Sequence, residues 1–448
     1  MSVTGVDLRW FPMWHGVLRP MISHVLLFWS ARWRLSTCIG VVCLASWVAA
    51  AAQTADTDDD VYHMQMRVQP SFAKMQALGR QLFFDPTLSG SGRMSCASCH
   101  DPRYAYGPPN ALSVQPGGID GQVLGRRAAP SLRYQQKVPP FTEHRFDDDF
   151  DDSVDQGPAG GHLWDGRAAT LHAQAAMPLL ASNEMANPSV SAIVAKLRQA
   201  AYAAQFRDTF GADALDDDVR AFKWATLALE MFQQDPAEFY PYSSKYDAVL
   251  RGQAQLTEQE ARGLALFEDE KKGNCAACHQ SRISPNTGAF PAFSDFGYVA
   301  LGVPRHRQLP SNADPNFYDL GLCGPDRSDF RDRADYCGAF RTPTLRNVAL
   351  RRSFFHNGIF HDLQQVLAFY ATRDSEPQRW YPAKVDGNID PFDDLPARYR
   401  GNVNVEPPFG RPVGEAPALS ATEIEDVIAF LRTLTDGYQV YAGRMEYR

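Results

Sequence analysis

What is scarce in this sequence narrows its class before any motif is read. Basic charge is short: 44 Lys and Arg face 52 Asp and Glu, a formal net charge of −8 that argues against a nucleic-acid partner. Long apolar runs are short too, since the run Leu35 to Ala50 falls below the roughly 20 residues that a membrane-spanning helix needs. Strand signals are sparse throughout, which leaves helices and irregular loops to carry the fold. Free cysteine is scarce as well. Of 8 cysteines, Cys38 and Cys43 lie in the N-terminal apolar run, four sit in two repeated motifs, and only Cys323 and Cys337 are left over.

What the N-terminus does have is Arg32 and Arg34 ahead of that run, small residues from Ala49 to Ala52, and then the acidic stretch Asp56 to Asp60. A basic flank, a short apolar core and a small-residue end read as a secretory signal over residues 1–52, with an uncleaved anchor as the competing reading. The segment carries net charge +3, so its removal takes the formal charge from −8 to −11. In an exported protein the pair Cys323 and Cys337 reads as a disulfide; two free thiols are the alternative.

The organising motif is Cys96-Ala97-Ser98-Cys99-His100, repeated as Cys275-Ala276-Ala277-Cys278-His279. Two cysteines two residues apart, followed at once by a histidine, form the attachment signature of a c-type haem. The thiols add to the two vinyl groups and the histidine ligates iron. A zinc half-site would want a second Cys or His pair at matching spacing, and a redox pair needs no histidine. Two covalently bound c-type haems are therefore expected, on Cys96 and Cys99 and on Cys275 and Cys278, with His100 and His279 as axial ligands.

The surroundings of the two motifs repeat as well. Ala77-Leu78-Gly79-Arg80-Gln81-Leu82-Phe83 leads to the first, and Ala261-Arg262-Gly263-Leu264-Ala265-Leu266-Phe267 to the second. A glycine inside a helix costs about 1 kcal/mol relative to alanine, so a repeated one points to close packing against another helix. Thr257 with Glu260 and Ser420 with Glu423 are capping boxes. The second opens a stripe of Ile424, Val427, Ile428, Leu431 and Leu434 that should run until Gly437. Helices crossing beside a haem motif are the plan of the cytochrome c fold. The expectation is an all-α protein of two cytochrome c-like domains, 53–242 and 243–448, each with one haem and with long irregular loops. The acidic run Phe146 to Asp152 reads as a solvated loop, with calcium binding or docking of a basic partner as alternatives.

Trp164-Asp165-Gly166-Arg167, then Gln174, Pro178, Glu184 and Met185, then Thr342-Pro343-Thr344-Leu345-Arg346-Asn347 and Phe355-His356-Asn357-Gly358 complete a recognisable order. With the two haem motifs the chain resembles the bacterial di-haem cytochrome c peroxidase and MauG family over nearly its whole mature length. The resemblance implies a periplasmic enzyme whose N-terminal haem meets hydrogen peroxide, with residues matching Gln174 and Glu184 on its distal side. Chemistry supports these assignments. Heterolytic O–O cleavage moves a proton between the two oxygens, and a carboxylate such as Glu184 can take and return it. Gln174 can hold the oxygens by hydrogen bonds while Pro178 keeps the pocket tight; each of the three could instead be an ordinary helix-surface residue. Trp164 matches the family's relay between haems, although a tryptophan is also ordinary core.

Two departures mark the subfamily. In the family's classical peroxidases a histidine ligates the resting N-terminal haem from a loop; here the matching position is Asp120, and no histidine occurs from Asp101 to Gln136. Where the family has a calcium-binding asparagine stands Ala128, so calcium is in doubt. Fourteen residues beyond His356 comes Tyr370, at a place where the peroxidases have a methionine and MauG a tyrosine. Tyr370 is the expected sixth ligand of the second haem, with His306 and His361 as alternatives. A phenolate favours higher oxidation states of iron than a thioether does. The resemblance thus implies a high-valent di-haem state that oxidises a Trp or Tyr of a partner protein. The alternatives are a peroxidase fed by a small cytochrome or cupredoxin and a non-enzymatic electron-transfer cytochrome. The Cys323 and Cys337 pair resembles the branch that includes the di-haem enzyme of methanobactin operons.

Overall fold

The computed structural model describes residues 62, 64, 68–146, 153 and 155–440. The expected signal segment 1–52 and the acidic residues 147–152 lie outside the described residues. Helix α1 spans Phe72–Phe84, and α2, Leu171–Leu180, follows a long irregular stretch. Next come α3 Val190–Gln199, α4 Ala203–Phe210, α5 Asp218–Gln233, α6 Pro236–Phe239 and α7 Lys245–Leu250. The C-terminal half adds α8 Glu258–Glu268, α9 Leu363–Thr372 and α10 Ala421–Arg432. Among the described residues, strand is confined to two short antiparallel ribbons. Pro116–Gly117 (β1) pairs with Val123–Leu124 (β2), and Tyr298–Val299 (β3) with Phe340–Arg341 (β4).

Helix starts follow the capping chemistry. Ser71 accepts from the Lys74 N–H at the head of α1, and both expected capping boxes are formed at α8 and α10. Helix α10 ends at Arg432, short of Gly437. The Thr433 N–H donates to Phe430 O at 2.8 Å and the Leu434 N–H to Leu431 O at 3.2 Å, so the chain tightens into a turn first.

The repeated glycines mark two equivalent helix crossings. A Cβ on Gly79 would lie 1.9 Å from Ala228 O on α5, and one on Gly263 would lie 2.0 Å from Asp426 O on α10. The next residue met is again equivalent, with Phe232 Cβ and Phe430 Cβ each at 2.9 Å. Only glycine lets the two helix backbones approach this closely. The sequence reading had found the partner α10 but not α5, which crosses α1 in the first half.

Buried apolar side chains gather around each crossing. Leu78, Leu82, Phe83, Tyr106, Phe232 and Phe239 belong to one cluster, and Phe267, Phe293, Phe369, Val427 and Phe430 to the other. Each buried Phe contributes about 2 kcal/mol of transfer free energy, so these clusters hold the crossings in place. A third, small cluster of Leu322, Tyr336 and Ala339 sits under the irregular segment before β4, where Cys323 and Cys337 are joined with Cα atoms 5.0 Å apart.

Candidate functional site

Each haem motif is wound into one tight turn, over Cys96–Ser98 and Cys275–Ala277. The backbone N–H of the following histidine closes onto the first cysteine's carbonyl, at 2.9 Å for His100 and 2.8 Å for His279. Two thiols and an imidazole are thereby fixed on five consecutive residues.

Both imidazoles are oriented alike. His100 Nδ1 lies 3.0 Å from Tyr106 O, and His279 Nδ1 lies 2.9 Å from Phe293 O. A carbonyl can only accept, so Nδ1 carries the proton and Nε2 keeps its lone pair. Burial pushes both rings down to about 4, leaving them neutral at physiological pH. A neutral imidazole whose far nitrogen is tied to a carbonyl is the arrangement an iron ligand needs. The residues therefore fit two thioether-bound haems, with His100 and His279 on the irons.

Glu184 stands beside the first motif. Burial pushes the Cys96 and Cys99 thiols up to about 12 and about 11, and the neighbouring Glu184 charge adds to the rise in both. The Glu184 side chain keeps an exposed surface, yet enough protein surrounds it that burial drives its carboxyl upward, with Arg167 pulling the other way. Helix α2 and its end set this position. Gln174 and Pro178 lie one turn apart on α2, and the Glu184 N–H donates to Ala181 O at 3.0 Å just beyond it. The β1–β2 hairpin then clamps the turn: the Gly118 N–H donates to Glu184 O at 2.8 Å, and a Cβ on Gly117 would lie 2.2 Å from Asn183 O. Asp120 is at the exposed tip of this hairpin, where it accepts from the Gln122 N–H.

The second motif opens on a cavity of about 520 Å³ whose wall includes Cys275, Cys278, His279, Tyr370, Trp164 and His356. Tyr370 reaches it from α9, its ring stacked on Phe355 at 5.9 Å and on Phe409 at 5.3 Å. It is half-buried on the cavity wall, and burial raises the phenol's pKa, with the Cys278 and Cys275 thiols pushing the same way. Neither His306 nor His361 belongs to that wall. His306 Nε2 is 2.8 Å from Ser113 Oγ, and His361 Nδ1 is 3.0 Å from Arg352 O.

Trp164 is held from both halves. Its indole Nε1–H donates to Ala128 O at 2.8 Å, and its carbonyl accepts from the Arg341 N–H at 2.9 Å. The cavity wall continues past Trp164 to Ala105 and Pro130, in the loops around His100. Next to it Asp165, fully buried, accepts from Arg127 and Arg167 at 2.6 Å each, while Arg127 also forks onto Asp319 at 2.6 and 2.7 Å. Sequence reasoning missed this network, for which Asp165 and Arg167 in the Trp-Asp-Gly-Arg motif were the available signal. Ala128 offers no side-chain oxygen; its N–H donates to His356 O at 2.7 Å. Among the described residues no group of three or more His, Cys, Asp or Glu side chains is placed to hold a metal ion.

The Thr342–Asn347 motif is a brace. Arg346 forks onto Asp247 at 2.9 Å through both nitrogens, with both side chains fully buried, and Asn347 donates to Asp436 at 2.7 Å.

Residues 73–255 match the family described as di-haem cytochrome c peroxidase. The methylamine utilization protein MauG of Paracoccus denitrificans is 35% identical over 384 residues, covering 83% of this chain and 90% of that protein. Cytochrome c551 peroxidase of Nitrosomonas europaea is 29% identical, covering 67% of this chain and 73% of its own. Among solved structures, the diheme peroxidase BthA of Burkholderia thailandensis superposes with TM-score 0.72 at 40% identity, over 84% of this chain and 89% of that one. A MauG-like protein associated with microbial copper homeostasis superposes with TM-score 0.57 at 26% identity, covering 83% of this chain and 93% of that one.

Proposed function

The chain belongs to the di-haem cytochrome c peroxidase family, and on that premise we propose that it is a periplasmic, MauG-like oxidoreductase. It uses hydrogen peroxide to oxidise a Trp or Tyr side chain of a partner protein. The family binds two c-type haems and the enzyme class is that of haem peroxidases; the choice of reductant is the proposal. The observation that carries it is Tyr370, on the same cavity wall as Cys275, Cys278 and His279. The bound haems supply peroxide O–O cleavage and storage of the oxidising equivalents.

The chain's own residues do the rest. His100 and His279, neutral and with Nδ1–H tied to carbonyls, keep Nε2 lone pairs that would hold the irons. Glu184, raised by burial, is poised to hold a proton and hand it on at the first site, with Gln174 and Pro178 shaping the same side. Tyr370 offers its phenol oxygen at the second site, where the ion's charge would favour the phenolate against the pull of burial. Trp164, anchored to both halves, is assigned to carry charge between the two sites. Each half, 53–242 and 243–448, would hold one haem, after removal of a signal over 1–52.

The similarity to cytochrome c551 peroxidase favours a second reading, a peroxidase drawing electrons from a small cytochrome or cupredoxin. One comparison decides. The as-isolated diferric enzyme is given peroxide with either a reduced small cytochrome or the proteins that co-purify with it. New oxidised Trp or Tyr in a co-purified protein, read by mass spectrometry, supports the proposal. Rapid turnover with the cytochrome and no modified residue supports the second reading.

A further inference from the structure

Among the described residues, buried arginines are almost all neutralised by carboxylates. Arg127 pairs with Asp165 and Asp319, Arg305 with Asp394, Arg346 with Asp247 and Arg373 with Asp374. Buried Arg341 and half-buried Arg351 are the departures. Arg341 is 6% exposed; its Nη2 donates to Gln135 Oε1 at 3.2 Å, and its Nη1 is buried with no acceptor. Arg351 donates only to carbonyls, those of Ser353 at 3.3 and 3.2 Å and Ala129 at 3.2 Å. Burial drives both guanidinium groups downward, Arg351 to about 10. Burying a cation without an anion is costly, and two such cations on one surface call for negative charge there.

Both side chains lie on the wall of the cavity that carries Cys275, Cys278, His279 and Tyr370. Arg341 is also joined through its backbone to Trp164, and the Ala129 carbonyl that Arg351 holds lies next to Pro130, in the loop beside His100. They therefore face the region between the two haem-bearing turns. A c-type haem is fixed to the protein by its vinyl edge and carries two carboxylates on the opposite edge. We propose that Arg341 and Arg351 bind the haem propionates, supplying the counter-charge that lets these carboxylates stay ionised inside the protein. A guanidinium fork matches a carboxylate in geometry as well as charge.

The test uses the full-length diferric holoprotein, with neither peroxide nor partner, so its failure leaves the proposed reaction untouched. R341M and R351M should shift the propionate bending bands in the resonance Raman spectrum. They should also lower a haem midpoint potential and make it vary with pH across about pH 5 to 8, as a carboxylate without its counter-charge takes up protons. R341K and R351K, which keep the charge, should retain most of the wild-type potential. Unchanged Raman bands and potentials in both Met variants would overturn the proposal. So would Lys variants that lose as much potential as the Met ones, since packing and not charge would then be at work. If a Met variant does not yield folded holoprotein, the Raman bands of the matching Lys variant decide, and bands identical to wild type count against the proposal.

Discussion

At the scale of single residues, the chemistry turns on side chains whose identity was plain in the sequence and whose setting was not. Tyr370 could be placed by counting from His356; that its ring stacks on Phe355 and Phe409 on the cavity wall is a tertiary fact. Tyr370→Phe should change the low-spin spectrum of the second haem, and an identical spectrum would remove Tyr370 as its ligand. Glu184 stood out as a carboxylate beside Gln174 and Pro178, but its raised pKa comes from the protein folded around it, and the β1–β2 hairpin holds its backbone in place. Glu184→Gln should slow the reaction with peroxide by about 10²- to 10⁴-fold in stopped-flow absorbance while leaving the resting spectra of both haems intact. Loss of only a few-fold would assign the proton to another group.

At the scale of elements, the two halves reuse one device, a glycine at the crossing of two helices beside a haem turn. The glycines were visible as a repeat, as were the capping boxes at α8 and α10. The partner of α1 was not, because α5 is separated from the first motif by more than a hundred residues, and propensity says nothing about which helices meet. Its signature was present in Ala228 and Phe232, spaced like Asp426 and Phe430. Gly79→Ala and Gly263→Ala each drive a methyl into a carbonyl oxygen at 1.9 and 2.0 Å. Each should cost about 3 kcal/mol in denaturant unfolding of the holoprotein, the upper part of the range for overpacking. A cost near zero in either would mean that the crossing can slide apart.

At the scale of the whole molecule, the described residues form one compact unit, and buried braces span it. Arg346 in the motif before α9 reaches Asp247 in α7, some hundred residues away in sequence. Arg346→Met would leave Asp247 buried and unpaired, at a cost of about 3–5 kcal/mol. The sign of its pH dependence follows from the pairing. Against the opposing effect of burial, Arg346 holds the Asp247 carboxyl below its ordinary 3.8. Its contribution is therefore present above about pH 4 and is lost as pH falls through the lower, folded value. Acid unfolding curves should show wild type losing stability below pH 4 more steeply than Arg346→Met does. The Cys323–Cys337 bridge closes a segment of 14 residues, so the double Cys→Ser variant should lose about 3 kcal/mol in denaturant melts.

The sequence by itself determined the attachment chemistry. Cysteine and histidine spacing is local, and a five-residue motif carries its own geometry wherever it is placed. The helix caps and the glycine repeat were legible for the same reason, as was the count that singles out Tyr370. Only the tertiary structure decided which groups share a site. The α1–α5 crossing, the hold on Trp164 from Ala128 and Arg341, and the Arg127–Asp165–Asp319 network all join residues far apart in the chain. So does the placing of two uncompensated arginines on one cavity wall. Burial and electrostatic neighbourhood depend on what the rest of the chain brings close, and no local pattern of residue types specifies that.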